Sequence, residues 1–426
     1  MKLKILSVII ALTIVGQVAN ACTVISCALK GEVFAAANED DYMGFARMWL
    51  SPRTADRYGS ICFGLPDLQA QAAMNEYGLF YDFTAQNIDA SKYNLKNIYK
   101  GDLFFEILGK CKTVPEVLKM LEKYDYSDNS QVLIADALGN SVIINVGTKV
   151  VKTASYQINT NFNIAALKTG KYSCRRYDIS EEALKDAKTL SVPFLRDILS
   201  HTRQEGKLST IYSNIYDLKR GIVYIYNFHD FNKPYVIDLK KELARGYRLE
   251  KISSHFPVAY AYESFLQLDP AMFRKEMILD EIGNKGLNTT IDRYFALAND
   301  TTKKDSKING ILLEVSIQLI KEAYNRHANG GPWEYWFGFA GGFKNERFTD
   351  ERLTGAERIL DFLNEQKESA IKLKNFIFEL KAYLSMLKGD GQKAKDYYKL
   401  ASLSSADSWP VSYNRAQKMA LMFSGK

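Results

Sequence analysis

The residues best suited to chemistry stand together near the start of the chain, in Ala19-Asn20-Ala21-Cys22-Thr23. Upstream, Lys2 and Lys4 precede an apolar run from Ile5 to Val15. A basic start, an apolar stretch too short to span a bilayer comfortably and a small-x-small cleavage site read as a signal peptide over residues 1–21. Cleavage after Ala21 would export the protein and make Cys22 the first residue of the mature chain. An N-terminal cysteine carries a nucleophile and a base on one residue, because its thiol attacks a carbonyl while its free α-amine takes the proton. That amine titrates at about 7.7–8.0, close to neutrality, and the thiol at about 8.5. The free amine does not exist while residues 1–21 remain attached, so the signal segment also acts as a propeptide. Two other readings of Cys22 stay open. One is an acylated lipoprotein cysteine, for which Ala19 and Asn20 fit a lipobox poorly. The other is an ordinary structural cysteine that begins the mature chain.

A thiol acylated by an amide needs a group to hold the amine, donors for the tetrahedral oxyanion, and a cation or dipole that favours thiolate. The first half of the chain holds candidates for each at strand ends and turns. Asn38-Glu39-Asp40-Asp41 closes a hairpin that begins at Cys22, so a carboxylate there returns to the edge where the chain starts. Asn75-Glu76-Tyr77-Gly78-Leu79 is a glycine turn. Asn159-Thr160-Asn161-Phe162-Asn163 offers amide donors, of which Asn161 is a candidate for the oxyanion. Ser173-Cys174-Arg175-Arg176-Tyr177 brings two guanidinium groups to the start of a helix. Each segment alone is equally a solvated turn or a surface ion pair.

The elements that must position these residues change character along the chain. From Cys22 to about Leu243 the pattern is mostly strands. A hairpin runs from Cys22–Leu29 through Gly31 to Val33–Ala37, and further strands are predicted at Gln131–Ala135, Ser141–Val146 and Ile222–Tyr226. Helices are predicted at Asp102–Leu108, Val114–Lys123, Tyr177–Asp186 and Val192–Leu199. Strand pairs alternating with helix pairs suggest sheets covered by helices. From about Tyr260 the pattern is almost wholly helical, with helices over Ile308–Tyr324, Ala356–Leu363, Ile371–Leu387 and Gln392–Leu403. In the last of these, Ala394, Tyr398 and Ala401 follow the turn Gly389-Asp390-Gly391 and form half of a tetratricopeptide-like signature. A helical hairpin packing on the first domain is the favoured reading of it. The aromatic and glycine run Gly330–Phe343 reads as an interdomain plug or a mobile lid, with the plug favoured.

Composition narrows the function classes. The 426 residues suggest two domains, 22–259 and 260–426, after the signal segment. A net charge of +7 spread along the chain, with no arginine-rich stripe, argues against a nucleic-acid partner. Beyond residues 1–21 no apolar run is long enough for a membrane span. The five cysteines, at 22, 27, 62, 111 and 174, leave at least one free thiol. Their spacings match no zinc pattern, and four histidines without His-x-x-x-His spacing point away from a metal site. No cofactor is implied.

Taken in order, Cys22-Thr23, Asn38-x-Asp40, Asn75-Glu76-x-Gly78-Leu79, Thr160-Asn161, and Arg176-Tyr177 at a helix start resemble the choloylglycine hydrolase family. These N-terminal nucleophile hydrolases include bile salt hydrolases and penicillin V acylases. Thr210–Leu218 is similar to the family's late strand region, and the resemblance runs from Cys22 to about Leu243. It implies an α+β fold, an αββα four-layer sandwich, here followed by an all-α helical domain. It also implies hydrolysis of a linear amide of an N-acyl small molecule through an acyl-enzyme. On the matching positions Cys22 is the nucleophile and base, Asp40 positions the amine, Asn161 lies by the nucleophile and oxyanion, and Arg176 supports the cysteine. The pattern departs from bile salt hydrolases at Ala37, where they carry arginine. Thr84 and Asn87 are the candidates for the second oxyanion donor. An acyltransferase using the same site, and an inert exported binding or scaffold protein, remain as alternatives. A homo-oligomer is compatible with all of these.

Overall fold

Alternating apolar residues build two antiparallel sheets, and each sheet buries both of its faces. The computed structural model describes residues 22–86, 90–300, 302, 305, 307–333, 347–366, 370–403 and 410–423. Residues 1–21, Asn87 and most of the aromatic run after Trp333 lie outside these. The first sheet contains β1 (Thr23–Leu29), β2 (Glu32–Asp41), β10 (Tyr156–Asn159), β11 (Ser209–Asp217), β12 (Ile222–Asn227) and β13 (Tyr235–Asp238), in the order β10-β1-β2-β11-β12-β13. The second contains β3 (Arg47–Ser51), β4 (Ser60–Gly64), β5 (Ala70–Asn75), β6 (Phe80–Ala85), β7 (Ser130–Ala135), β8 (Ser141–Asn145), β9 (Thr148–Val151) and β14 (Arg248–Lys251), in the order β14-β3-β4-β5-β6-β7-β8-β9.

Successive strand residues point to opposite faces, and the core clusters divide on that rule. Val24, Val33, Ala35 and Ala37 of the first sheet pack with Met48, Phe63, Met74, Phe80 and Leu133 of the second. The intervening Ile25, Phe34 and Ala36 face outward onto α3 (Arg175–Lys185) and α4 (Val192–Thr202) through Tyr177, Leu184, Leu195 and Leu199. On the far side Trp49, Tyr81, Val132 and Ile134 meet α1 (Leu103–Lys110) and α2 (Val114–Met120) through Phe104, Ile107 and Val117. The result is the four-layer αββα arrangement. Local capping starts these helices. Asp102 accepts from Phe104 N and Phe105 N, each at 2.9 Å, and Thr113 and Ser191 cap α2 and α4.

Arg175 opens α3, so the helix starts two residues before the Tyr177 boundary predicted from sequence. The predicted hairpin is β1–β2, in register from Thr23 opposite Asn38 to Leu29 opposite Glu32. At the Asn75–Leu79 turn Gly78 adopts φ +77°, and a Cβ there would run into the carbonyl of Leu218. The Asn75 side chain is structural. It accepts from Tyr77 N and Leu79 N and donates to Leu108 O and Cys111 O, tying the turn to α1.

After the short α5 (Leu239–Leu243) and β14 the remainder is helical: α6 (Tyr260–Leu266), α7 (Pro270–Lys285), α8 (Leu287–Asn299), α9 (Ile308–His327), α10 (Glu351–Glu365), α11 (Ala370–Leu387), α12 (Gly391–Leu403) and α13 (Pro410–Phe423). Phe265 of α6 still belongs to the core between the sheets, and a separate helical core begins at Ile278. Tyr398 and Ala401 join that helical core, and Ala394 is buried beside them. The two regions are bolted together by a buried ion pair between Arg47 of β3 and Glu276 of α7. Trp49 Nε1 donates to Gly330 O at 3.1 Å, and Asn329 Nδ2 donates to Pro52 O at 2.7 Å. The described start of the aromatic run is buried: Trp333 packs edge-on against Tyr383 in the helical core. No helix among the described residues is long and apolar enough to cross a membrane.

Candidate active site

Cys22 stands just before β1 in the phase of Val24, so its side chain points between the sheets. Glu39 of β2 has the phase of Ala35 and Ala37 and points into the same space. Extending the register by one pair sets them opposite each other, and the Cys22 Sγ lies 3.6 Å from Glu39 Oε2. Asp82 of β6, two residues after the core Phe80, comes from the facing sheet and shares a hydrogen bond with Glu39. Cys22, Glu39 and Asp82 are all buried.

Burial dominates the electrostatics here. It pushes the Cys22 thiol well above its ordinary range, and the carboxyls of Glu39 and Asp40 add to this, while the backbone N–H of Asp40 donates to the sulfur and opposes it. Burial likewise pushes Glu39 up to about 7, against hydrogen bonds from Asp82 and Cys22 that favour its anion. Asp82 is raised well above the usual carboxylate range by burial and then by the neighbouring Glu39 charge.

The outward face of the same strand pair carries the other predicted residues. Arg176 reaches in from the first turn of α3. Its Nη1 donates to the main-chain carbonyl of Cys22 and, at 3.0 Å, to Thr23 Oγ1, and its Nη2 donates to Asn161 Oδ1 at 3.0 Å. Asp40 Oδ1 accepts from Thr210 Oγ1 of β11. Its Oδ2 lies 3.9 Å from Arg176 Nη1 with no hydrogen-bond donor among the described residues. Burial raises the Asp40 carboxyl well above its ordinary range, with the Thr210 hydroxyl and then the Arg176 charge pulling the other way.

All four residues singled out from sequence therefore meet at one end of the sandwich. Asn161 spans Arg176 and the carbonyl of Ala85, to which its Nδ2 donates at 3.0 Å. A primary amide has two N–H bonds, and the bond to Ala85 O uses one of them. The Thr84 hydroxyl is turned onto the oxygens of Thr160, Gln131 and Asn159 at 3.1–3.3 Å, which uses its single proton. Asn87, the other candidate donor, lies outside the described residues. Asn38 is structural, bonding Leu199 O, Thr202 Oγ1 and Ser213 Oγ.

Sequence reasoning assigned no role to Glu39, Asp82 or Thr210. Glu39 had a readable signal, since a period of two from Val24 and Ala37 puts it on the same face as Cys22. Cys27, Cys62, Cys111 and Cys174 are also free thiols. Burial pushes Cys27 and Cys62 up to about 12 and Cys111 to about 11, the same direction in which it moves Cys22. Among the described residues no cluster of His, Cys, Asp and Glu could hold a metal ion.

No protein-family model and no curated protein matched the sequence. Solved structures did. Two variants of conjugated bile acid hydrolase from Clostridium perfringens are similar to this chain at 16% and 15% identity, with TM-scores of 0.42 and 0.44. They cover 55% and 56% of this chain and 97% and 99% of their own. Penicillin V acylase from Agrobacterium tumefaciens is similar at 16% identity and a TM-score of 0.40, over 54% of this chain and 90% of its own.

Proposed function

We propose that this protein is an exported cysteine amidohydrolase that cleaves the linear amide bond of an N-acyl small molecule through a Cys22 thioester. The observation that carries the reading is the arrangement around residue 22. Its thiol accepts a backbone N–H from Asp40, its carbonyl is clamped by Arg176, and the buried Asp40 Oδ2 beside that clamp lacks a donor. Removal of residues 1–21 would put an ammonium on Cys22, and a positive charge at the chain end is what that carboxylate oxygen can accept. With the amine held, the unprotonated fraction takes the thiol proton as sulfur attacks the carbonyl. The second N–H of Asn161 then stabilises the oxyanion. Expulsion of the amine leaves a thioester that water clears.

The test is intact mass of the exported protein before and after a thiol alkylator, beside a screen of N-acyl amides. The expected result is a chain that begins at Cys22, is alkylated fastest there, and loses amidase activity in proportion. A chain that keeps residues before Cys22, or carries lipid on it, refutes the mechanism, because amine or thiol would then be blocked.

A further inference from the structure

We propose that Glu39 is a second proton acceptor for the Cys22 thiol, held for that work by Asp82 from the opposite sheet. This rests on the reading of Cys22 as the nucleophile and deepens it. Glu39 Oε2 is the acceptor that faces Sγ, at 3.6 Å. Behind it, Glu39 Oε1 and both Asp82 carboxyl oxygens are buried with no ordinary donor among the described residues. Three such acceptors lie together only if a proton sits between the two carboxyls. Asp82 is the stronger proton holder of the two and donates to Glu39. The titratable groups around the pair are Cys22 from β1, Asp40 and Asp41 on β2, and Tyr212 and Tyr216 from β11, with Arg176 beyond Asp40. Those nearest are acidic or neutral, so the pair keeps one proton, and Glu39 changes charge around neutrality. A base poised near the working pH is the efficient one.

The step balances. When Glu39 and not the α-amine accepts the proton, the S–H bond breaks as the Sγ–C bond forms, the proton passes to Glu39 Oε2, and the carbonyl π pair moves onto oxygen. Collapse expels the amine, which leaves with the proton from Glu39. Water then attacks the thioester while giving its proton to Glu39, and Cys22 sulfur departs with that proton. Glu39 touches the reacting sulfur and is catalytic; Asp82 acts through Glu39 and is a positioning residue.

The experiment uses the full mature chain with p-nitrophenyl acetate, whose leaving group needs no proton, and reads Cys22 acetylation by intact mass across the neutral pH range. The wild-type rate is expected to rise through the ionisation of Glu39. In E39Q that inflection disappears and acetylation slows about ten-fold or more, while E39D restores part of both. In D82A the inflection moves upward, because Glu39 loses the hydrogen bond that favours its anion. Circular dichroism establishes that each variant is folded. An E39Q chain acetylated at Cys22 with the wild-type rate and profile overturns the role of Glu39 and leaves the nucleophile in place. A wild-type chain not acetylated at Cys22 overturns the nucleophile and Glu39 together.

Discussion

Replacing Glu39 by glutamine should stabilise the sandwich, and by more as the pH rises. The carboxyl is buried between the sheets and titrates at about 7, against an ordinary value of 4.5. Below about 4.5 the folded and unfolded chains both hold the proton, and burial carries no penalty. Between about 4.5 and 7 the unfolded chain has released a proton that the folded chain keeps, so stability is lost as pH rises. Above about 7 the full penalty is present. The gap from 4.5 to 7, at about 1.36 kcal/mol per pH unit, amounts to about 3 kcal/mol. Glutamine fills the same space, accepts from Asp82 and cannot ionise. Relative to wild type, E39Q should therefore gain about 1 kcal/mol near pH 5 and about 3 kcal/mol near pH 8. Urea unfolding followed by circular dichroism at the two pH values reads this as a widening separation of midpoints at constant slope. Parallel behaviour of the two proteins across this window would show that Glu39 ionises as freely in the fold as in the unfolded chain. The buried carboxyl pair would then have to be abandoned.

Other outcomes follow from the same geometry. Cys22→Ser should lower amidase activity by orders of magnitude, because a hydroxyl is a poorer nucleophile at neutral pH; an unchanged rate on the screened substrate refutes the thioester. Asp40→Asn should lose most activity while its unfolding free energy from urea titration changes by less than about 1 kcal/mol, since the amide oxygen still accepts from Thr210; matched losses of activity and stability would make Asp40 structural. Arg176→Lys keeps the charge but cannot serve the Cys22 carbonyl, Thr23 and Asn161 together, so Cys22 alkylation and amidase activity should fall together in a folded protein. Arg47→Met leaves Glu276 buried with Lys251 as its remaining ion-pair partner, and should cost about 3 kcal/mol, read as an earlier transition in thermal unfolding.

Much of this arrangement is written in local sequence. The β1–β2 hairpin follows from its alternating small and branched residues and from the turn at Gly31, and the predicted helices over 102–108, 114–123 and 192–199 fall on α1, α2 and α4. Cys22, Asp40, Asn161 and Arg176, which the structure brings together, could be singled out because each sits at a strand end, a turn or a helix start. There the residue type itself carries information. Strands β3–β6 were harder to read, because both of their faces are buried and the apolar pattern loses its period. The boundary at 259 and 260 marks a real change of secondary structure, yet Phe265 still packs between the sheets.

The sequence by itself determined which residues could react and the order in which they occur. Only the tertiary structure decided what faces what. Arg176 arrives from a helix packed outside the first sheet, Thr210 from a strand added beside β2, and Asp82 from the opposite sheet. None of these approaches is encoded within a local window, because each depends on strand order and on how two separate sheets stack. The proton shared by Glu39 and Asp82 belongs wholly to that second level. Two carboxyls 43 positions apart, each unremarkable in its own segment, change their chemistry because stacking the sheets removes the water that would have kept both ionised.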